Sequence, residues 1–152
     1  MPLITEDIVT GADWIAQCLK SSGYSADFSP ASLWEIDRFF DDVSENGAPK
    51  PRGLLGKQFG SRMFALGGYV GEVLRRSKGG SWVADEADPE NEINIILKLT
   101  DGSIVWPTQR VIKRLKNGPQ DGIAAYGAGL GLDVGPQPPP RKKGFFARLF
   151  GG

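Results

Sequence analysis

The 152-residue sequence has no histidine and only one cysteine, Cys18. Histidine is the commonest general acid or base near neutral pH and, together with cysteine, the commonest zinc ligand. The usual serine and cysteine catalytic triads are therefore excluded, and a single cysteine cannot form an intramolecular disulfide. We expect no catalytic residues, no metal and no cofactor, and the cysteine count favours a reducing, cytoplasmic setting.

Long apolar runs are also missing. No segment approaches the roughly 20 apolar residues of a membrane-spanning helix. Residues 1–10 include Glu6 and Asp7, and they have neither the basic start nor the apolar run of a secretory signal. With 40% hydrophobic residues, the composition is typical of a soluble protein with one folded domain.

The sequence also lacks net charge, because 18 Lys and Arg residues balance 18 Asp and Glu residues. The distribution of these charges is uneven. Residues 135–152 contain four of the basic residues and no acidic residue, so the rest of the chain carries 14 basic and 18 acidic residues. An acidic domain is therefore followed by a basic tail.

Apolar spacing predicts two N-terminal helices. The first is predicted to begin near Thr10 and to end at Gly23, after an N-terminal arm at residues 1–10. Cys18 falls in its apolar stripe beside Trp14, and we interpret it as a core thiol because no histidine is present to activate it. The second helix is predicted to open at Ser29, whose side chain can accept a bond from an amide of the first turn.

The second predicted helix carries acidic residues on its outer side. Asp37, Asp41 and Glu45 follow one another at a spacing of four. This pattern favours a solvated face on which the like charges repel slightly. The alternative is a face that attracts a cation or a basic partner.

A long or broken helix is predicted over 53–78, and glycine is its unusual feature. Each glycine in a helix interior costs about 1 kcal/mol relative to alanine. The pattern favours close approach of another helix or of the sheet. The alternative is a ligand that approaches the backbone at Gly67-Gly68. The glycines are Gly53, Gly56, Gly60, Gly67, Gly68 and Gly71.

Three short strands are predicted after this helix, at 81–84, 93–100 and 103–106. Asp101-Gly102, between the last two, is a strong hairpin signal. The acidic connection at 85–92 is predicted to be a solvated loop. Two further helices are then predicted, one that closes at Gly118 and one that begins at Pro119.

The predicted fold is therefore α+β, with N-terminal helices packed on a small antiparallel three-stranded meander that is followed by C-terminal helices. The single domain is predicted to span 11–132. A proline-rich linker is predicted at 133–140 and a basic aromatic tail at 141–152.

One group of residues on the domain is a candidate partner-binding site. Tyr69, Glu72 and Arg76 are spaced to share a helical face, and exposed Trp, Tyr and Arg residues dominate interface hot spots. The alternative is a set of core tryptophans beside a surface ion pair. The candidate residues are Tyr69, Glu72, Arg75, Arg76, Trp82, Trp106 and Arg110.

Three short motifs carry a resemblance to a family of small uncharacterised bacterial cytoplasmic domains. They are the Gly-Tyr-x-Gly-Glu-Val stretch at 68–73, the Gly-Gly-x-Trp stretch at 79–82 and the Val-x-Lys-Arg-Leu-x-Asn-Gly stretch at 111–118. The resemblance covers about residues 30 to 130 and leaves out the tail. It implies an intracellular domain with no established catalytic residues.

The tail combines cations with large apolar side chains. Its apolar residues lie at i, i+1, i+4 and i+5, the pattern of a membrane-surface segment or of a peptide that docks in a groove. The alternative is a tail that packs on its own acidic domain. Nucleic-acid binding is not favoured, because four cations beside an acidic body make a poor phosphate footprint. The candidate tail residues are Arg141, Lys142, Lys143, Phe145, Phe146, Arg148, Leu149 and Phe150.

Together these features predict a non-catalytic binding or adaptor protein of a bacterial cytoplasm, in its specific form an immunity or regulatory protein. The domain is expected to recognise a protein partner, and the tail to contact an anionic membrane surface or a second partner. That contact would place the protein peripherally at the inner face of the membrane. The alternative is a sensor of an anionic small molecule or nucleotide, or a histidine-free enzyme.

Overall fold

The computed structural model describes residues 2–140, so the predicted tail at 141–152 lies outside the described residues. The order of elements confirms the predicted α+β fold. In chain order they are α1 (Ile4–Ser21), α2 (Leu33–Val43), β1 (Ser44–Glu45), β2 (Ala48–Pro49), α3 (Phe59–Lys78), β3 (Gly80–Val83), α4 (Asn91–Asn94), β4 (Ile96–Leu99), β5 (Ile104–Val105), α5 (Pro107–Asn117) and α6 (Ile123–Gly129).

Helix α1 begins at Ile4, so the predicted N-terminal arm is wrong. Ile4 and Ile8 continue the apolar stripe toward the N-terminus and are buried together with Phe64 and Ile95. This burial stabilises the first two turns, which also carry acidic residues at the end of the helix where the dipole favours them. Cys18 is partly buried and packs against the main core, as the sequence predicted.

The start of α2 follows the predicted capping pattern. A short 3-10 turn at Pro30–Ser32 leads into the helix, and the Ser29 side chain accepts a hydrogen bond from the Ser32 amide at 3.2 Å. Helix α2 then ends in the β1–β2 hairpin, in which Asn46 and Gly47 both have positive φ. This is the backbone conformation that a two-residue hairpin turn requires.

Helix α3 begins at Phe59, later than predicted, because Leu54–Gly56 forms a separate 3-10 turn. Its glycines allow neighbouring elements to approach the backbone. A Cβ atom at Gly67 would lie 2.5 Å from Thr108 Oγ1 of α5, and one at Gly68 would lie 2.5 Å from the Ile8 carbonyl oxygen of α1. The close-packing interpretation is therefore confirmed, and the space beside Gly67-Gly68 is filled by the chain itself.

The sheet has the order β3-β4-β5, and both pairs of strands are antiparallel. Trp82, Leu97 and Val105 are aligned across it and face the helices. The middle strand is shorter than predicted because 91–94 forms the one-turn helix α4. At the predicted hairpin the Ser103 amide donates to Asp101 Oδ1 at 2.8 Å.

The last C-terminal helix begins later than predicted. Pro107 occupies the first turn of α5, and Pro119 lies in a 3-10 turn at Gly118–Asp121, so α6 begins only at Ile123. The predicted linker is packed against the domain at its beginning, since Val134 is buried and its carbonyl oxygen accepts a bond from Trp34 Nε1 at 3.0 Å. Within residues 2–140, no helix is both long enough and apolar enough to cross a membrane.

Candidate binding surface

Glu72 is the centre of a hydrogen-bonded cluster that joins α3 to the sheet. Its side chain has no solvent exposure. Arg75 donates to both carboxylate oxygens, from Nε at 2.6 Å and from Nη2 at 2.7 Å, and Trp82 donates from its indole nitrogen at 2.9 Å. Arg76 Nε lies 3.5 Å from the same carboxylate. Both oxygens of the buried carboxylate thus accept a hydrogen bond, and Oε2 accepts two.

These contacts set the protonation of Glu72. Burial by itself raises the pKa of the carboxyl group, but the hydrogen bonds from Arg75 and Trp82 and the charges of Arg75 and Arg76 together outweigh it. The pKa of Glu72 therefore lies below its ordinary value. The same contact raises the pKa of the Arg75 guanidinium, although burial opposes that shift.

Tyr69 anchors the loop between α1 and α2. Its hydroxyl donates to Ser32 Oγ at 2.7 Å and accepts from the Phe28 amide at 3.0 Å, and its fully buried ring stacks on Phe28 with centroids 4.6 Å apart. The Arg76 guanidinium lies 3.7 Å from the Phe28 ring centroid. Burial raises the pKa of Tyr69, so its hydroxyl stays protonated and can donate.

The predicted partner-binding group is therefore divided by the structure. Tyr69 and Glu72 have no exposed surface, so neither side chain can contact a partner of the folded domain. Trp82 is partly buried, with its indole nitrogen committed to Glu72. We correct the prediction for Tyr69 and Glu72 and assign both to internal packing, and the prediction for Trp82 stays a prediction. Arg75 and Arg76 reach the surface but remain paired with Glu72.

Trp106 and Arg110 belong to a different surface. Together with Gln109 and Lys113 of α5 and Tyr126 of α6 they line an open cleft of about 120 Å³, which we call the α5 cleft. Gln109, Arg110 and Lys113 lie in α5, and Trp106 directly precedes its first residue. These four residues stand at positions i, i+3, i+4 and i+7, which share one helical face. Trp106 is 45% exposed.

Arg110 is incompletely paired within the α5 cleft. Its guanidinium lies over the Tyr126 ring, 4.5 Å from the centroid, and its Nη2 is 3.8 Å from Asp121 Oδ1, beyond hydrogen-bond distance. Arg110 Nε is buried and has no hydrogen-bond partner among residues 2–140. Because a buried donor without an acceptor costs about 1–3 kcal/mol, this group favours a ligand that carries an acceptor.

The outer face of the sheet continues toward this cleft. Ser81, Lys98 and Ile104 are aligned on it, opposite to the inward-facing residues. Ile104 is 46% exposed, and Trp106 follows it at the spacing that returns to the same face. The exposed Ile104 side chain therefore precedes the exposed Trp106 indole by two residues.

The pairing of Arg114 with the acidic side of α2 was not predicted from the sequence. Arg114 is 2% exposed, and it donates to Asp37 Oδ1 at 2.9 Å and to Asp41 Oδ1 at 2.7 Å. Asp37 also accepts bonds from the Ile123 and Ala124 amides at 2.8 and 2.9 Å. The solvated-face interpretation is therefore wrong for Asp37, and the cation that this face attracts is part of the same chain.

No group of three or more metal-ligating side chains is found within the described part of the chain. The comparisons with protein-family models, with curated proteins and with solved structures found no match to this chain. The resemblance carried by the three sequence motifs thus stays a prediction, and the functional argument rests on the geometry of the α5 cleft.

Proposed function

We propose that this chain is a non-catalytic binding protein whose folded domain recognises a protein partner through the α5 cleft. The observation that carries the proposal is the exposed Trp106 beside an incompletely paired Arg110 and the Tyr126 ring. Tryptophan, tyrosine and arginine are the residues in which interface binding energy is concentrated. Exposed tryptophans are otherwise kept few on soluble domains.

The size of the cleft favours a protein over a small metabolite. Sites for drug-sized molecules and cofactors enclose roughly 300–1,000 Å³, whereas the α5 cleft measures about 120 Å³ and is open to solvent. That volume suits one inserted side chain. The exposed Ile104 of the outer sheet face then adds apolar contact area of the kind that a side-chain anchor needs.

The basic tail extends this proposal to an adaptor. Four cations and four large apolar side chains lie within 141–152, a composition that fits an anionic membrane surface or a groove on a second protein. We place the protein in the cytoplasm, with the tail at the inner face of the membrane. In the specific form of the proposal the domain blocks a toxin or an enzyme, as an immunity or regulatory protein does.

Affinity capture with a matched pair of variants tests the proposal. Trp14 is also 45% exposed but lies on α1, against Arg62 at 5.8 Å. We expect Trp106→Ala to lose a partner that the wild type retains, with an affinity loss of about 2 kcal/mol, and Trp14→Ala to keep it. A partner retained equally by both variants contradicts the assignment of the α5 cleft, and the lack of any partner contradicts the adaptor function.

The competing function is a sensor of an anionic small molecule, which would use the same Arg110. A ligand at 100 times its dissociation constant stabilises the folded state by about 2.7 kcal/mol. Melting temperatures measured against a panel of nucleotides and phosphorylated metabolites therefore distinguish the two. We expect no shift, and a shift that disappears in Arg110→Gln would favour the sensor.

A further inference from the structure

We infer that the α5 cleft is a receptor for an acidic side chain, so that the partner presents an exposed aspartate or glutamate which binds Arg110. This inference rests on the proposed function and specifies the chemistry of the partner. It depends on the unpaired donors of Arg110, on the charges around them and on the dimensions of the cleft.

Arg110 has hydrogen-bond donors that the described chain does not satisfy. Arginine presents its N–H groups in a planar fork that matches a carboxylate with two parallel hydrogen bonds. In Arg75 that fork is saturated by Glu72, with Nε and Nη2 both bonded. In Arg110 the Nε is buried without a partner in the described chain, and the Nη2 contact with Asp121 is 3.8 Å. A carboxylate in the cleft would accept the hydrogen bond from Arg110 Nη2 that Asp121 is too far away to accept.

The surrounding charges favour an anion. Lys113 lines the same cleft and adds a second cation. Asp121, whose Oδ2 accepts a bond from Asn117 at 2.6 Å, is the acidic group nearest to Arg110 among the described residues. Two cations and one carboxylate leave a net attraction for an anion, and the test below compares a carboxylate with inorganic phosphate.

The walls of the cleft fit the rest of such a side chain. The Tyr126 ring already covers one side of the Arg110 guanidinium, and the exposed Trp106 side chain lines the same cleft. Aromatic surfaces bury the methylene groups next to a carboxylate. A volume of about 120 Å³ accommodates a carboxylate with its methylenes and is too small for a nucleotide.

The test is a titration of the full chain, labelled with nitrogen-15, by the capped peptide acetyl-Ala-Glu-Leu-Ala-amide at constant ionic strength. The peptide acetyl-Ala-Gln-Leu-Ala-amide, which has the same shape without the charge, is the matched probe. We expect the glutamate peptide to shift the Trp106 indole and Arg110 Nε–H resonances with a dissociation constant of about 1 mM. The glutamine peptide should bind at least about tenfold more weakly, because a bond to a charged group is lost.

Two variants control for folding and for general charge. Arg110→Gln should lose the response at least about tenfold. Arg62→Gln, beside Trp14 on the other surface, should keep it. Arg62 Nε is also buried without a partner among the described residues, but Arg62 Nη1 donates to the Leu54 carbonyl, whereas Arg110 Nη2 lies 3.8 Å from Asp121. Unchanged melting temperatures show that neither substitution acts through unfolding.

The outcomes separate the inference from the proposed function. If both peptides shift the Trp106 resonance equally, or if inorganic phosphate binds Arg110 more tightly than the glutamate peptide, the carboxylate inference is overturned. No response to the glutamate peptide overturns it as well. In each of these cases the proposed function stands if affinity capture still depends on Trp106, and it falls if that dependence is missing too.

Discussion

Arg114 and Asp37 are 77 positions apart in the sequence, and the Arg114 Nε donates to Asp37 Oδ1 at 2.9 Å. The contact joins α5 to α2. Asp37 also caps the start of α6 through the amides of Ile123 and Ala124, so one carboxylate orders three helices. Residues of α5 and α6 line the α5 cleft. The Arg114–Asp37 pair therefore helps to fix the relative position of the two helices that carry the candidate binding surface.

Replacement of Arg114 by methionine should destabilise the domain. The substitution leaves the partly buried Asp37 carboxylate without its guanidinium partner, and breaking one side of a buried ion pair costs about 3 kcal/mol. Lys116→Met is the matched control, because Lys116 lies exposed in the same helix and should change stability by less than about 0.5 kcal/mol. Urea unfolding measures both values. Equal losses of stability in the two variants would show that the Arg114–Asp37 ion pair makes no specific contribution to stability.

Two glycine positions in α3 should respond to alanine with opposite sign. At Gly68 the added Cβ meets the Ile8 carbonyl oxygen at 2.5 Å, whereas at Gly60 nothing lies within 4 Å in the described structure. We expect Gly68→Ala to destabilise by about 2 kcal/mol, because backbone must move. Gly60→Ala should stabilise by about 0.5 kcal/mol through helix propensity. Denaturant midpoints compare the two, and a stabilised Gly68→Ala would contradict the close α1–α3 packing.

Structure that is determined locally was predicted best from the sequence. The Ser29 cap, the Asp101-Gly102 hairpin and the three short strands depend on neighbouring residues, and all three features were predicted. The start of α1 was not, since it depends on burial of Ile4 and Ile8 against distant residues. One signal for the missed ion pair was present, because Arg114 lies between Val111 and Leu115 in the apolar stripe of α5.

The candidate site was predictable only in part, for a related reason. Residue type identified Trp106 and Arg110 correctly as surface groups, but helical spacing also placed Tyr69 and Glu72 with them. Spacing shows which residues share a face of a helix, and it does not show whether that face is covered. In α3 that face is covered by the sheet and by the loop that carries Phe28.

The folded domain should become less stable in acid because Glu72 is protonated there. Its pKa is lower in the folded state than the ordinary value of 4.5. In the pH range between these two values the unfolded state binds more protons, so stability rises with pH there. The contribution is complete above pH 4.5 and is lost as pH falls through the folded pKa. Urea unfolding of the wild type and of Glu72→Gln from neutral pH to acid measures it.

The variant fixes the interpretation of that pH profile. Glu72→Gln should be less stable than the wild type by about 2 kcal/mol at neutral pH, because the charge-assisted bonds from Arg75 are lost. Toward acid the two curves should converge. Parallel curves would assign the acid sensitivity to other carboxylates.

The Tyr69 hydroxyl should matter more than that of Tyr126. Tyr69→Phe removes the acceptor of the Phe28 amide and the donor to Ser32, and we expect a loss of about 2 kcal/mol. Tyr126→Phe keeps the ring that contacts Arg110 and should lose less than about 0.5 kcal/mol. Equal losses measured by thermal unfolding would show that the Tyr69 hydroxyl does not hold the α1–α2 loop.

The tail should bind anionic vesicles independently of the α5 cleft. Each of its four cations adds about 1 kcal/mol near an anionic surface, and screening by salt weakens that attraction. We expect the full chain to sediment with vesicles that contain phosphatidylserine and to be released by high salt. A chain truncated after Pro140 should stay in solution, while Trp106→Ala should sediment like the wild type. Sedimentation of the truncated chain would place the membrane contact on the domain and remove the reason for an adaptor with two separate surfaces.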